Sequence, residues 1–364
     1  MSHLFQPLTL RGLTLPNRIA VSPMCQYQSQ EGLANDWHFV HYGGLAQGGA
    51  GLVMTEAMAV APEGRISPND LGLWNIHQAE ALARIVHFIK AQGAVPGVQL
   101  AHAGRKASAF APWKGSGSVP PAAGGWTPVA PSALPFEAGW TVPTALDEPG
   151  ILAVIEAFMD AARRALAAGF QIIEVHAAHG YLLHQFLSPL SNHRMDAYGG
   201  SFENRTRLVR EVVGALRNIL PEELPLFVRI SATDWVEGGW DLEQSVTLAL
   251  ELKALGVDLV DCSSGGLSPH QKIALGPGYQ VPFAARIRAE ANLPTGAVGL
   301  ITAPEQAEGI LAEGSADLVL LGRELLRDPR WPLRAAHELG TETPWPASYA
   351  RGARGPVPLR QPLA

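Results

Sequence analysis

Five times along the chain an Ala-x-Gly step leads straight into a short apolar run: 46-AQGGAGLVMTEA-57, 91-AQGAVPGVQLAHA-103, 167-AAGFQIIEVH-176, 254-ALGVDLVDCSS-264 and 312-AEGSADLVLLGR-323. The glycine suits the left-handed residue that ends a helix. The apolar run after it suits a strand buried on both faces, as a parallel sheet requires. Each phrase therefore reads as the join from a helix to the next strand. Three further strands stand without the phrase: 18-RIAVS-22, 226-LFVRI-230 after the turn 221-PEELP-225, and 295-TGAV-298 after Pro294. Strands are thus expected near 18–22, 51–55, 96–100, 172–175, 226–230, 258–262, 295–298 and 317–321.

Helices fill the gaps. The segment 147-DEPGILAVIEAFMDAARRALAAG-169 opens on an Asp cap with a proline in its first turn. It places Ile151, Val154, Ile155, Phe158, Ala162 and Ala165 on one face and stops at Gly169. The segment 241–256 repeats the design. Others are expected near 36–47, 76–92, 203–219, 281–291, 304–313 and 331–338. Strands alternating with helices in this way predict an α/β fold, a single-domain (β/α)8 TIM barrel over residues 1–340. A doubly wound sheet loses weight because neither G-x-G-x-x-G nor G-x-x-x-x-G-K occurs. The connection 103–148 after the third strand is long, with tryptophans at 113, 126 and 140. A loop of that length is usually functional, and this one leaves a catalytic strand end, so it is expected to cap the site. Residues 341–364 form a proline- and arginine-rich tail, expected to pack against something or fray.

Composition removes several function classes. Only five lysines occur and the net charge is −6, so nucleic acid is not the expected partner. The two cysteines, Cys25 and Cys262, make neither a disulfide framework nor an iron–sulfur site. No apolar run reaches the length of a membrane helix and the N-terminus has no signal pattern, so the expectation is a soluble, cytoplasmic protein.

In a barrel, chemistry collects where strands end. Here those ends read Ser22-Pro23-Met24-Cys25, Glu56-Ala57, Gln99 to His102, His176 to Tyr181, Arg229, Cys262-Ser263-Ser264, Gly299 and Gly322-Arg323. The set is polar, has one or two cations and few carboxylates. The pair His176 and His179 admits three readings: metal ligands, satisfied barrel-mouth histidines, or donors to a developing oxyanion. On a strand, residues three apart face opposite ways, so the pair converges only if the chain turns between them. Tyr181 alongside is a weak acid suited to donating a proton. The loops after strands seven and eight, with Gly299, Gly322 and Arg323, suit a phosphate.

These residues resemble the Old Yellow Enzyme family of FMN-dependent ene-reductases, in its bacterial thermophilic-like branch. The likeness runs nearly end to end. It is carried by 17-NRIAVSPMCQYQS-29, 55-TEAMAVAPEGRIS-67, 99-QLAHAGRKA-107, 174-EVHAAHGYLLHQFLSPLSNHRMDAYGGSFENR-205, 227-FVRISATD-234, 261-DCSSGG-266 and 321-LGRELLRDP-329. The resemblance implies FMN across the barrel mouth, reduced by NADPH or NADH. Ser22, Pro23, Met24, Cys25 and Ala57 then line its ring, Gln99 bonds the pyrimidine edge, and Arg229 faces N1 and the C2 carbonyl. Gly299, Gly322 and Arg323 hold its phosphate. His176 and His179 bind the carbonyl or nitro oxygen of an activated alkene, Tyr181 supplies a proton, and Cys25 tunes the flavin. Tyr27 and Lys106 are further substrate contacts. Arg351 matches an arginine that some members insert into a neighbouring subunit's site, so a homodimer or homotetramer is implied. A metal-dependent barrel hydrolase and a non-catalytic flavin-binding protein are the alternatives.

Overall fold

The computed structural model describes residues 2–353 and 355–360. Eight parallel strands close into a barrel: β1 Ile19–Val21, β2 Leu52–Ala59, β3 Val95–Ala101, β4 Ile172–Ala177, β5 Leu226–Ser231, β6 Leu259–Ser263, β7 Thr295–Ala297 and β8 Leu318–Leu321. Every neighbour in the ring is also a neighbour in sequence, with β8 pairing back onto β1. The strands are buried along their whole length, which is why they read as apolar runs rather than as an alternation. Around them run α1 Asp36–Gln47, α2 Ile76–Ala91, α3 Glu148–Ala168, α4 Phe202–Ile219, α5 Leu242–Ala254, α6 Val281–Ala291, α7 Pro304–Ala312 and α8 Trp331–Glu338.

The expected caps are present. The Asp147 carboxylate accepts the Gly150 N–H and the Asp241 carboxylate the Gln244 N–H, each satisfying an amide the helix cannot. Of the five phrase glycines, Gly93, Gly169, Gly256 and Gly314 are left-handed. In the first phrase the turn moves one residue on, to Gly49 at φ 99°, and Gly48 stays right-handed. Gly48 is required for another reason: a Cβ there would lie 1.8 Å from the Pro329 carbonyl oxygen.

Two features were not read from the sequence. A hairpin, Leu8–Leu10 with Leu13–Leu15, precedes the barrel. It presses Leu8, Leu10 and Leu15 onto Leu52, Val95, Ile172, Leu259 and Leu318, the first residues of their strands or close to it, and so plugs the barrel floor. Its alternating LTLRGLTL pattern was the available signal. Two short helices, Leu182–Leu187 and Arg323–Arg327, follow β4 and β8 directly and so sit at the mouth.

The segment 103–148 is anchored rather than free. The Trp126 ring lies 4.9 Å from the Arg65 guanidinium, which lies 5.3 Å from the Trp74 ring on its other contact. The indole N–H of Trp126 donates to the Glu63 carbonyl at 2.9 Å. Residues 129–130 pair with 144–145. In the tail, Trp345–Pro346 pairs with Leu359–Arg360, and Arg360 donates to the carbonyls of Ala46, Gln47 and Gln92. These carbonyls close α1 and α2, so the tail packs at the floor end of the barrel. Arg351 is exposed there, near Tyr349, whose hydroxyl meets Gln47 at 3.3 Å. It does not reach the mouth of its own barrel.

Candidate active site at the barrel mouth

The chain does turn between the two histidines. Strand β4 ends at Ala177, and His179 and Gly180 are both left-handed, at φ 57° and 72°. The turn brings the His176 and His179 rings to 5.1 Å at 83° to each other, with the Tyr181 ring 5.0 Å from His176. The polar groups of this turn are partnered. The Ala178 N–H donates to Nδ1 of His176 at 3.3 Å, the His179 N–H to the Ser231 hydroxyl, and the Tyr181 N–H to the Ala178 carbonyl. Nζ of Lys106 donates to the His179 and Gly266 carbonyls at 2.8 and 2.9 Å. Lys106 thus serves the backbone of the turn, while its ammonium lies 5.1 Å from the Tyr181 ring centroid. Burial, with Arg105 nearby, lowers its pKa to about 8.

Burial also keeps both histidines neutral, pushing their pKa values well below the ordinary range. The positive charges of Arg229 and Lys106 add to this. Because Nδ1 of His176 accepts a backbone N–H, the proton of that neutral ring sits on Nε2. Nε2 of His179 lies 2.7 Å from the Ser263 hydroxyl.

Deeper in the mouth lies a buried polar layer. Gln99 donates to Glu174 at 2.8 Å, and Arg229 sits 3.0 Å from Asp261 through Nε and 3.2 Å from the Ser22 hydroxyl through its terminal nitrogen. Ala57 stands in register beside Gln99, and Arg229 beside His176. Burial first, then Asp261, raises Glu174 to about 8. Oε2 of Glu174 is buried without a partner among the described residues. A hydrogen-bonding ligand above this layer would find polar groups already oriented.

The expectation of few carboxylates needs correction: Glu56, Asp70, Glu174, Asp234 and Asp261 are all buried around the mouth. Glu56, Asp70 and Asp234 are spent on hydrogen bonds within the chain, and Asp261 on its ion pair with Arg229. Glu56 accepts the Tyr42 hydroxyl and the Gln26 N–H, both at 3.0 Å, and so holds the segment after β1 that carries Cys25 and Tyr27. No group of three metal-binding side chains converges among the described residues. Cys25 is half-buried, and its thiol is pushed up by burial, then by Asp70 and Glu56. Tyr27 is left-handed at φ 53° and meets Trp113 edge-on, with centroids 5.7 Å apart. Trp113 comes from the long segment after β3, which therefore does reach the mouth. Pro23 and Met24 are half-buried beside it.

On the β7–β8 side a cleft of about 240 Å³ is lined by Gly299, Leu300, Gly322, Arg323 and Arg327. The amides of Arg323 and Glu324 open a helix and have no acceptor within it. Arg323 has no ion-pair partner among the described residues, whereas Arg327 is paired with Glu324 at 2.6 Å. Gly299, at φ 120°, leaves no room for a Cβ, which would meet Nε2 of Gln280 at 2.9 Å. Gln280 in turn bonds Val298 and Ser264 and was not anticipated; nothing in its local sequence marks it. Open amides, a free cation and a backbone that can be closely approached suit a phosphate.

Comparison with known proteins agrees with this chemistry. Residues 3–342 match the sequence profile of the NADH:flavin oxidoreductase / NADH oxidase family. An NADPH dehydrogenase of Geobacillus thermodenitrificans is 49% identical over 353 residues, covering 96% of this chain and 98% of that protein. One from Bacillus subtilis is 46% identical over 351 residues, covering 96% and 98%. Among solved structures, morphinone reductase superposes with a TM-score of 0.78 at 29% identity, covering 99% of this chain and 95% of that one. The old yellow enzyme homologue of Zymomonas mobilis gives 0.77 at 27%, covering 92% of each. The chain belongs to the NADH:flavin oxidoreductase / NADH oxidase family, and is an FMN-binding oxidoreductase of the Old Yellow Enzyme type that draws its electrons from NAD(P)H.

Proposed function

We propose that this oxidoreductase reduces activated alkenes: α,β-unsaturated ketones, aldehydes and nitroalkenes. Ser22, Pro23, Met24, Cys25 and Ala57 would border the flavin ring, Gln99 and Arg229 would meet its polar edge, and Gly299, Gly322 and Arg323 its phosphate. When bound, FMN supplies the hydride that the alkene takes at its β-carbon. The side chains supply position and charge. His176 offers an N–H from Nε2. His179 stands beside it with Nε2 on the Ser263 hydroxyl, and the tautomer of that ring with its proton on Nδ1 would give the same substrate oxygen a second donor. Negative charge grows on that oxygen as the β-carbon is reduced, and preorganised donors in a dry site stabilise it. Tyr181, a neutral phenol beside His176, supplies the proton to the α-carbon. Cys25, kept as a thiol, borders the ring as a tuning group rather than a nucleophile. Tyr27 and Trp113 form an aromatic side to the substrate space.

The observation that carries this reading is the convergence of two neutral histidines and a neutral tyrosine beside a buried arginine. The test is direct. Purified holoprotein should be yellow, bleach with NADPH under anaerobic conditions, and regain its colour on adding 2-cyclohexenone. Bleaching without recolouring by any enone or nitroalkene would reject the alkene reading. A yellow protein that NADPH does not bleach would point to a flavin carrier.

A further inference from the structure

One buried histidine beside the site has no part in the reaction proposed above. His184 lies on the short helix Leu182–Leu187 and is 0% exposed. Its Nδ1 accepts the N–H of Gly180, the residue between His179 and Tyr181, at 2.9 Å. Its Nε2 lies 2.8 Å from Oδ1 of Asp234, which follows β5. That approach is bent rather than straight, yet neither atom has another polar partner among the described residues, so each serves the other. Oδ2 of Asp234 accepts the Ser188 hydroxyl at 2.6 Å and the Trp240 N–H at 2.7 Å, which sets the orientation of the carboxylate. Burial alone would raise the Asp234 pKa, but His184, Ser188 and Trp240 outweigh it and hold the group ionised.

A neutral imidazole has one donor nitrogen and one acceptor. A carboxylate on the Nε2 side keeps the proton there and leaves the Nδ1 lone pair for Gly180. That bond matters because of where it falls. His179 and Gly180 are consecutive left-handed residues, a conformation that a side-chain-bearing residue holds only when its surroundings impose it. Without His184 the buried Gly180 N–H would have no acceptor.

We propose that Asp234 and His184 are positioning residues: Asp234 selects the His184 tautomer whose Nδ1 holds the Gly180 N–H, and this bond maintains the left-handed turn that presents His179 and Tyr181 to the substrate. The inference rests on the roles given above to His179 and Tyr181. Three substitutions separate it from a purely structural role. In Asp234→Asn the amide oxygen still serves Ser188 and Trp240, and the amide nitrogen faces His184 as a donor. Nε2 must then accept, the proton moves to Nδ1, and two donors oppose each other at Gly180. In His184→Asn a carboxamide oxygen stands near the Nδ1 position and keeps the Gly180 bond. In His184→Gln the carboxamide stands near the Nε2 position and loses it.

The experiment uses FMN-loaded enzyme. In ¹⁵N-histidine-labelled protein, His184 should show a lone-pair nitrogen at Nδ1 and a protonated Nε2, exchanged in Asp234→Asn. Rates of 2-cyclohexenone reduction at saturation should fall by about tenfold or more in Asp234→Asn and His184→Gln, since small displacements of reacting groups have large effects, and stay close to wild type in His184→Asn. A protonated Nδ1 in the wild type overturns the proposal, as does equal turnover in the two His184 variants. Should Asp234→Asn fail to fold, the wild-type tautomer and the His184 pair still decide. Should the wild type reduce no alkene, the function proposed above fails, while the tautomer measurement judges this network separately.

Discussion

Tyr181 is held as a neutral phenol, chiefly by burial and further by Cys25, Tyr27 and Asp70. The role of proton donor proposed for it requires that the proton stay in place until the substrate needs it, and this environment keeps it there across the physiological range. Replacing it by Phe removes the proton and little volume. Tyr181→Phe should lower enone turnover by about 100-fold or more while NADPH still bleaches the flavin, as stopped-flow absorbance would record. The histidines are depressed in the same way, so they remain neutral through pH 6 to 7. The pH profile of kcat/KM for the enone should therefore show no acid limb near the free histidine value of 6.5; such a limb would mean that one of the pair ionises in the free enzyme. The HAAHGY block was legible because its residue types are unusual together. His184 was not. Its two partners are a backbone amide four residues back and a carboxylate fifty residues on. Neither contact has a local pattern.

At the scale of elements, two left-handed glycines that look alike in sequence differ in what surrounds them. Gly169 closes α3 at φ 94°, and a Cβ there would stand 3.4 Å from Val86 and Lys90 side chains, ordinary contact. Gly180 at φ 72° would put a Cβ 2.2 Å from the Gly266 carbonyl oxygen. Gly169→Ala should destabilise by about 1 kcal/mol, the penalty of a left-handed alanine, with enone activity intact. Gly180→Ala must move the turn that carries His179 and Tyr181, so activity should fall much further than stability. Paired measurements of Tm and turnover in the two variants check the contrast. Helix ends were legible to within a residue or two because caps and glycines are local devices. The Leu8–Leu15 hairpin and the two mouth helices were not. The first has strands of only three residues each, and the others are too short for a helical period to show.

For the whole molecule, the buried charges set a pH dependence of stability. Glu56 and Glu174 are both raised to about 8, so between the free carboxyl value and pH 8 the folded state binds more protons than the unfolded one. Stability then falls as pH rises. His38, His41 and His102, lowered to about 4, work the other way, but only below the free histidine value of 6.5. The carboxyls therefore govern the window from 6.5 to 8. Urea midpoints should decline across it, by up to about 1.4 kcal/mol per pH unit for each carboxyl. Glu56→Gln, which keeps an acceptor for the Gln26 N–H, should flatten the decline; an unchanged slope would show that Glu56 is ionised in the fold.

The same scale separates the two sources of information. The repeated helix-to-strand phrase was enough for the barrel, because burial on both faces and a glycine at each helix end are written locally into the chain. The order of strand ends was enough to name the mouth, its two histidines and its tyrosine. What only the tertiary structure decided is which of these groups share a proton or a charge. Arg229 meets Asp261, Gln99 meets Glu174, and Asp234 meets His184 across strands and loops that no spacing rule connects. Protonation states follow from burial and from neighbours brought together by closure of the barrel, and those neighbours are set by three-dimensional packing rather than by position along the chain.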